Sequence, residues 1–246
     1  NHKTNIMIVQ PLSYPKLYDA CLDLHVTEAK RLLQDPNTDV NELSPHGTSA
    51  LHALFDVTLR CLPNEENKKI ITILDEMMKI PHLDINGSNS CYGAPIHELF
   101  TREASKWIDL DLVKRIVNML MTNANFDPNA VDSSGCWTLI HHCAQNGKYW
   151  PILQKLLEHP KVDVNARPVN FQNLYVYFTP LHMCRYVKAW NALIAKGAKL
   201  GYLDNRGNKP YQDSRWKSAP MKKVFIEAPS IEMEQMKSGL WTEEDD

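Results

Sequence analysis

The chain has 246 residues, of which 43% are hydrophobic and 23% are charged, a composition that is ordinary for a folded globular protein and excludes collagen and wholesale disorder. Lys and Arg total 27 against 29 for Asp and Glu, so the net charge of −2 supplies no general field that would attract nucleic acid or an anionic membrane. No apolar run approaches the roughly 18 residues that span a bilayer, and residues 1–10 lack the apolar stretch of a signal peptide. We therefore expect a cytoplasmic protein that is not inserted in a membrane and does not bind nucleic acid.

Helical spacing of apolar residues recurs along the chain, and we take the predicted elements in order. A helix pair is expected within residues 15–41. Longer helices are then predicted at 51–62, 65–79, 96–106 and 109–121, a shorter one at 152–158, a pair between Thr179 and Gly197, and a last one through Phe225. No alternating strand pattern competes with these helices, so the sequence predicts an all-α fold.

A four-residue motif and an Asn recur in phase. The motif is Ser49-Ala50-Leu51-His52, Ala94-Pro95-Ile96-His97, Thr138-Leu139-Ile140-His141 and Thr179-Pro180-Leu181-His182, and it follows Asn41, Asn86, Asn129 and Asn165 in turn. The histidines are 45, 44 and 41 residues apart, so a fixed turn is joined to helices of adjustable length. We expect these four Asn and four His residues to hold the repeat turns.

The unit that begins at Thr179 shows how the repeat folds. Thr179 can cap a helix and Pro180 suits its first turn. A second helix ends at Gly197, a residue that tolerates the left-handed conformation of a helix end, and the run Asp204-Asn205-Arg206-Gly207 signals a turn. Each unit is therefore predicted to be a turn followed by two helices.

This pattern resembles the ankyrin repeat from about residue 16 to about residue 223. The family pattern appears from Gly135 through Thr138-Leu139-Ile140-His141 to Val164-Asn165-Ala166. The resemblance implies a helical solenoid with short hairpin turns. The units are predicted at about 15–43, 44–88, 89–131, 132–166, 167–200 and 201–228, between an extension at 1–14 and an acidic tail, or the start of a further segment, at 229–246.

Cysteine and histidine lie close together at two places in the sequence, where a catalytic or metal-binding role competes with a structural one. His141 or His142 with Cys143, and His182 with Cys184, could form a Cys–His nucleophile. The resemblance places two of these histidines at structural positions of the repeat, and the thiols near buried helix positions. Histidines one layer apart, about 10 Å, are too distant to share one zinc ion. No phosphate-binding motif is present, so we expect no catalytic residue, no metal and no cofactor.

The cysteines also bear on the compartment. Cys21, Cys61, Cys91, Cys136, Cys143 and Cys184 contain no C-x-x-C pair, so neither a disulfide framework nor a zinc module is signalled. A reducing compartment is the simpler expectation.

A repeat solenoid displays a concave face and turn tips on which a partner protein can bind. Aromatic and arginine side chains are the strongest anchors of such contacts. The candidates in turn segments are Tyr92, Trp137, Arg167, Phe171, Tyr175, Tyr177 and Phe178.

The sequence thus predicts a non-catalytic, monomeric protein-interaction module whose partner is another protein. One alternative is the targeting region of a larger bacterial effector enzyme, located in the host cytoplasm, with its catalytic domain outside this chain. A second alternative is a cryptic cysteine-dependent enzyme, which would need a thiol of low pKa.

Overall fold

The computed structural model describes residues 13–58, 64–87, 93–100, 109–135, 137–167, 177–212 and 219–240. Within these ranges the chain is helical and has no strand, apart from one isolated bridge between Val131 and Thr138. The predicted all-α class is confirmed.

The helices follow one another in pairs. The α-helices are α1 Lys16–Leu22, α2 Val26–Gln34, α3 Ala50–Val57, α4 Asn64–Met77, α5 Leu110–Met121, α6 Leu139–Gln145, α7 Trp150–Glu158, α8 Pro180–Met183, α9 Val187–Ala195 and α10 Ala219–Lys237. Two 3-10 helices lie at Pro95–Phe100 and Gly147–Tyr149. The first of these takes the place of an inner helix in the third pair.

The pairs stack into two layers. In the inner layer α1 contacts α3, α3 contacts the 3-10 helix Pro95–Phe100, that helix contacts α6, and α6 contacts α8. In the outer layer α2, α4, α5, α7, α9 and α10 touch one another in that order. Among the described residues the main contacts of each unit are therefore with its neighbours, as in a solenoid.

Apolar spacing explains which helix face is buried. In α5 the buried side chains are Leu112, Val113, Ile116, Val117 and Leu120, which recur at three- and four-residue intervals on one face. Asp109 caps this helix, because its Oδ1 accepts the N–H groups of Asp111 and Leu112 at 2.9 and 3.3 Å. The opposite face of α5 stays in solvent.

The third pair departs from the predicted helix at 96–106. Its first element is a 3-10 helix at Pro95–Phe100, and residues 101–106 lie outside the described ranges. The capping positions of α3, α6 and α8 carry a Ser or Thr hydroxyl, whereas here Ala94 has none. The hydroxyl that helps to start a regular α-helix is missing from this unit.

The last helix crosses a predicted boundary. The sequence placed the end of the repeat domain at residue 228, but α10 continues through Pro229 to Lys237. Pro229 lies on the exposed face, while Phe225 before it and Glu232 after it are buried against the stack. Packing on both sides keeps the two halves of the helix in line despite the backbone hydrogen bond that proline cannot make.

Candidate functional site

The amide groups of Asn41, Asn86, Asn129 and Asn165 lie between neighbouring units, and we call them the asparagine ladder. The Nδ2 group of Asn41 donates to the carbonyl of His82 at 2.9 Å, and its Oδ1 atom accepts the N–H of Asp84 at 2.8 Å. The other three amides repeat this pair of bonds one unit further on, with lengths of 2.6 to 3.1 Å. Both polar ends of each side chain are satisfied by backbone, so the ladder joins units and binds no ligand.

The motif histidines also connect units. The backbone N–H of Thr138 donates to Nδ1 of His141 at 3.1 Å, so Nε2 carries the proton and donates to the carbonyl of Phe178 at 2.9 Å. His52 and His182 make the same contacts with Ser49 and Thr179 on one side and with the next unit on the other. These rings are neutral, buried connectors.

Burial opposes protonation of three of the motif histidines. Desolvation lowers the pKa of His141 to about 4 and that of His97 to about 3, and it lowers the pKa of His52 as well. The Nδ1 atom of His97 has no hydrogen-bond partner among the described residues, because Ala94 offers no hydroxyl and its backbone N–H donates to the carbonyl of Val131 at 3.0 Å. None of the three rings is poised as a general base near neutral pH.

Trp137 lies in the hairpin before α6, where it packs on its neighbours. Its indole ring is 5.2 Å from the ring of His142, centroid to centroid, and the backbone N–H of Trp137 donates to Oδ1 of Asp132 at 3.4 Å. Nε2 of His142 lies 3.4 Å from Oδ2 of Asp132. Although burial acts in the opposite direction, the adjacent imidazole of His142 and the hydrogen bonds from Ser134 hold the pKa of the Asp132 carboxyl well below its usual value. Trp137 is half-buried, so only part of its ring is open to a partner.

A second group of predicted partner residues lies in the segments that follow the fourth and fifth helix pairs. The guanidinium carbon of Arg167 is 4.4 Å from the ring centroid of Tyr202 and 5.4 Å from that of Tyr177. Its Nη2 group donates to the carbonyl of Leu203 at 3.2 Å, and Nζ of Lys199 lies 5.3 Å from the Tyr202 ring. We call Arg167, Tyr177 and Tyr202 the tyrosine–arginine cluster.

The backbone at this cluster is unusual. Tyr177 has a φ of 66°, in the left-handed region that costs a residue with a side chain of the order of 1 kcal/mol or more. Such conformations persist where the surroundings fix them and where a side chain must be aimed. All three side chains of the cluster are half-buried, so each keeps part of its surface in solvent.

The residues predicted to contact a partner lie in different parts of the structure. Arg167 and Tyr177 come together, Trp137 lies in a separate hairpin, and Tyr92, Phe171 and Tyr175 lie outside the described residues. Phe178 is a correction, because it is 1% exposed and its ring packs 5.3 Å from His182. Its apolar side chain fills the core next to α8 and cannot meet a partner. Tyr202 was missed, although an aromatic residue two positions before the turn signal Asp204-Asn205-Arg206-Gly207 was a signal of the same kind.

The described thiols are buried and unpaired. Burial raises the pKa of Cys21 and of Cys184 to about 12, and it raises that of Cys143 well above its ordinary value. Cys61, Cys91 and Cys136 lie outside the described residues. The predicted Cys–His pairs therefore contain no activated thiolate.

Within the part of the chain that the structure describes, no three His, Cys, Asp or Glu side chains converge as metal ligands. Among those residues, too, no helix combines the length and the apolar character that a bilayer crossing requires.

Comparisons with known proteins identify the fold. Residues 137–166 match the family model described as "Ankyrin repeat". The structure is similar to that of EF0377, an ankyrin repeat protein, with 17% sequence identity, a TM-score of 0.59, and coverage of 89% of this chain and 96% of the other. It is also similar to an ankyrin repeat domain from Acinetobacter baumannii AYE, with 16% identity, a TM-score of 0.59, and coverage of 88% and 95%.

No curated protein matches the sequence significantly. At these identities the solved structures establish the fold, and the fold that the sequence predicted is confirmed.

Proposed function

We propose that this ankyrin repeat chain is a non-catalytic module that binds a partner protein, with the tyrosine–arginine cluster as the centre of the contact. Ankyrin repeats are generally protein–protein interaction modules. The observation that supports this site is the cluster itself, in which a guanidinium lies over two partly exposed tyrosine rings and one ring is held by a strained backbone.

The chemistry of the cluster suits a binding anchor. Tyrosine and arginine dominate the residues whose truncation costs most binding energy at interfaces, because each combines a large apolar surface with polar atoms. Stacking on Tyr202 and the bond to Leu203 fix Arg167 before a partner arrives. A side chain that is already ordered loses little entropy on binding.

The test is capture of partners from a native lysate by the wild-type chain and by Tyr202→Ala. We expect the variant to retain at least tenfold less of the captured protein, which corresponds to about 1.4 kcal/mol. Tyr202→Ala removes the cation–π contacts with Arg167 and Lys199, each worth about 1 kcal/mol or less, so the thermal midpoint should fall by only a few degrees.

The matched control is Tyr14→Ala, a tyrosine at the other end of the stack whose ring lies 5.3 Å from that of Tyr18. Its capture should equal that of the wild-type chain. If both variants capture the same amount as wild type, the binding site is elsewhere and the proposal fails at this cluster.

The alternative of a cysteine-dependent enzyme is not supported by the thiols described. Cys143 adjoins His142 in sequence and Cys184 lies two residues after His182, yet both sulfur atoms are buried with a raised pKa. A nucleophilic cysteine needs the opposite shift and an open approach for substrate.

A further inference from the structure

The outer face of α10 carries an unusual concentration of exposed apolar side chains. Ile226 is 79% exposed, Met233 56% and Met236 40%. Elsewhere in the described residues the only large hydrophobic side chains open to this degree are Leu43 and Leu240, and Leu240 directly follows the same helix. An apolar patch at this position therefore indicates a contact surface.

The spacing of these side chains indicates which kind of partner surface can pack on them. Ile226, Pro229, Met233 and Met236 are separated by three, four and three residues and are all exposed, and we call them the α10 seam. This is the a/d spacing of a heptad repeat, which pairs with the same stripe on another helix. The buried residues Val224, Phe225 and Ala228 occupy the other side of α10, so the seam is a second apolar face.

The charges beside the α10 seam are basic. Lys222 precedes Ile226 by four residues, Lys223 precedes it by three, and Lys237 follows Met233 by four, so each lies on the same side of the helix as the seam. All three are exposed, and none has an ion-pair partner among the described residues. Glu227 and Glu234 each lie one position after a seam residue, on the outer side of Lys223 and Lys237, so the lysines are the charges nearest to the seam. The flank next to the seam is therefore positive.

This charge pattern opposes pairing between two copies of the chain. In an antiparallel pair with Ile226 against Met236, Lys223 of one copy falls beside Lys237 of the other. In a parallel pair Lys222 faces its own equivalent. Like charges beside a helix seam destabilise the pair, whereas opposite charges set the choice of partner.

We propose that the α10 seam binds an amphipathic α-helix of another protein, with apolar residues at heptad spacing and acidic residues along its edges. Apolar contact with Ile226 and Met233 holds the helix, and the three lysines select acidic flanks. This surface is distinct from the tyrosine–arginine cluster, so either proposal can fail without the other.

The probe is a designed 21-residue peptide with Leu at positions a and d and Glu at e and g, whose glutamates prevent it from pairing with itself. A matched peptide carries Lys in place of each Glu. Fluorescence anisotropy with the full chain should show that the acidic peptide binds at least tenfold more tightly than the basic one. The double variant Ile226→Ser with Met233→Ser should bind the acidic peptide at least tenfold more weakly than the wild-type chain does. Its thermal midpoint should be retained, because both side chains face solvent.

The double variant Lys222→Glu with Lys223→Glu tests whether the lysines beside the seam select a helix with acidic flanks. These positions are in the first turn of α10, where acidic residues suit the helix dipole, so folding should be unaffected. The variant should prefer the basic peptide. Leu43→Ser, an exposed apolar residue at the other end of the stack, should change nothing.

Three results would overturn the proposal. The first is that the wild-type chain binds neither peptide or binds both equally, and the second is that the Ile226→Ser and Met233→Ser change leaves binding intact. The third is sedimentation of the wild-type chain as a dimer that this change converts to a monomer, which would assign the α10 seam to a second copy.

Discussion

Asn165 shows how a single side chain joins two units of the stack. Its amide donates to the carbonyl of Gly197 at 3.1 Å and accepts the N–H of Lys199 at 2.8 Å. Asn165→Ala leaves both backbone groups without these partners, so we expect the free energy of unfolding to fall by about 1 to 3 kcal/mol. Chemical denaturation followed by circular dichroism measures the change.

The matched control for this prediction is Asn191→Ala, which changes an exposed Asn on the surface of α9. Alanine has the higher helix propensity, so the control should be neutral or slightly stabilising. Equal effects at the two positions would mean that the asparagine ladder contributes nothing specific.

The buried thiols give a second prediction at the residue scale. Cys21, Cys143 and Cys184 should react slowly with a thiol reagent at neutral pH in the folded chain and much faster after unfolding, because burial both raises their pKa and blocks access. Single-cysteine variants that keep one of the three allow each rate to be measured. Immediate labelling of any of them in the native chain, with an apparent pKa near 6, would revive the cysteine enzyme.

At the scale of elements, α10 is bonded to the stack at the point where the asparagine ladder stops. Each ladder Asn lies two residues after the N–H that the preceding Asn binds, and by this rule the next position is 201, which is Gly. Gln235 of α10 makes an equivalent pair of bonds from the other side. Its Nε2 donates to the carbonyl of Ala198 at 2.9 Å and its Oε1 accepts the N–H of Leu200 at 3.0 Å.

This arrangement predicts a specific role for one glutamine. Gln235→Ala leaves two buried backbone groups unpaired, so the free energy of unfolding should fall by about 1 to 3 kcal/mol. The amide of Leu200 should exchange its hydrogen at least tenfold faster, as measured by native-state hydrogen exchange. Glu234→Ala, an exposed neighbour in the same helix, serves as the control. Unchanged exchange at Leu200 in the glutamine variant would show that α10 is held by its apolar face alone.

The sequence anticipated some elements better than others, for physical reasons. The helix predicted at 109–121 is observed at Leu110–Met121 because apolar spacing and the Asp109 cap agree. The helix expected through Phe225 continues to Lys237, because buried residues on both sides of Pro229 outweigh the local stop signal of proline. The role of Gln235 could not be predicted from the sequence, because its hydrogen-bond partners lie 35 and 37 residues away and no repeat motif marks this position.

The candidate site was anticipated in part. Aromatic residues in turn segments pointed to Tyr177 and Arg167, but composition could not separate a buried Phe178 from its half-exposed neighbour. That distinction depends on which side of the chain faces α8. The juxtaposition of Arg167 and Tyr202 depends on the stacking of units, which brings residues 35 positions apart into contact.

At the scale of the whole molecule, the histidines make stability depend on pH. His52, His97 and His141 are buried in successive units, and desolvation holds the pKa of each below the ordinary value. Because the unfolded chain binds protons more readily at these rings, their contribution is fully present above about pH 6.5 and is lost as the pH falls towards their folded values. The stack should therefore weaken on mild acidification.

Between pH 6.5 and 5 each ring with a folded pKa of about 3 or 4 should cost about 2 kcal/mol, at roughly 1.4 kcal/mol per pH unit. Asp132 and the surface carboxylates with lowered pKa values act only below this window, and Glu98, whose pKa burial raises, acts in the opposite direction. The free energy of unfolding measured at pH 7, 6 and 5 should fall at each step. His141→Gln should flatten this slope by about one proton, because the variant lacks this buried titratable ring. A stability that stays constant from pH 7 to 5 would mean that the buried rings accept protons without disturbing their bonds between units.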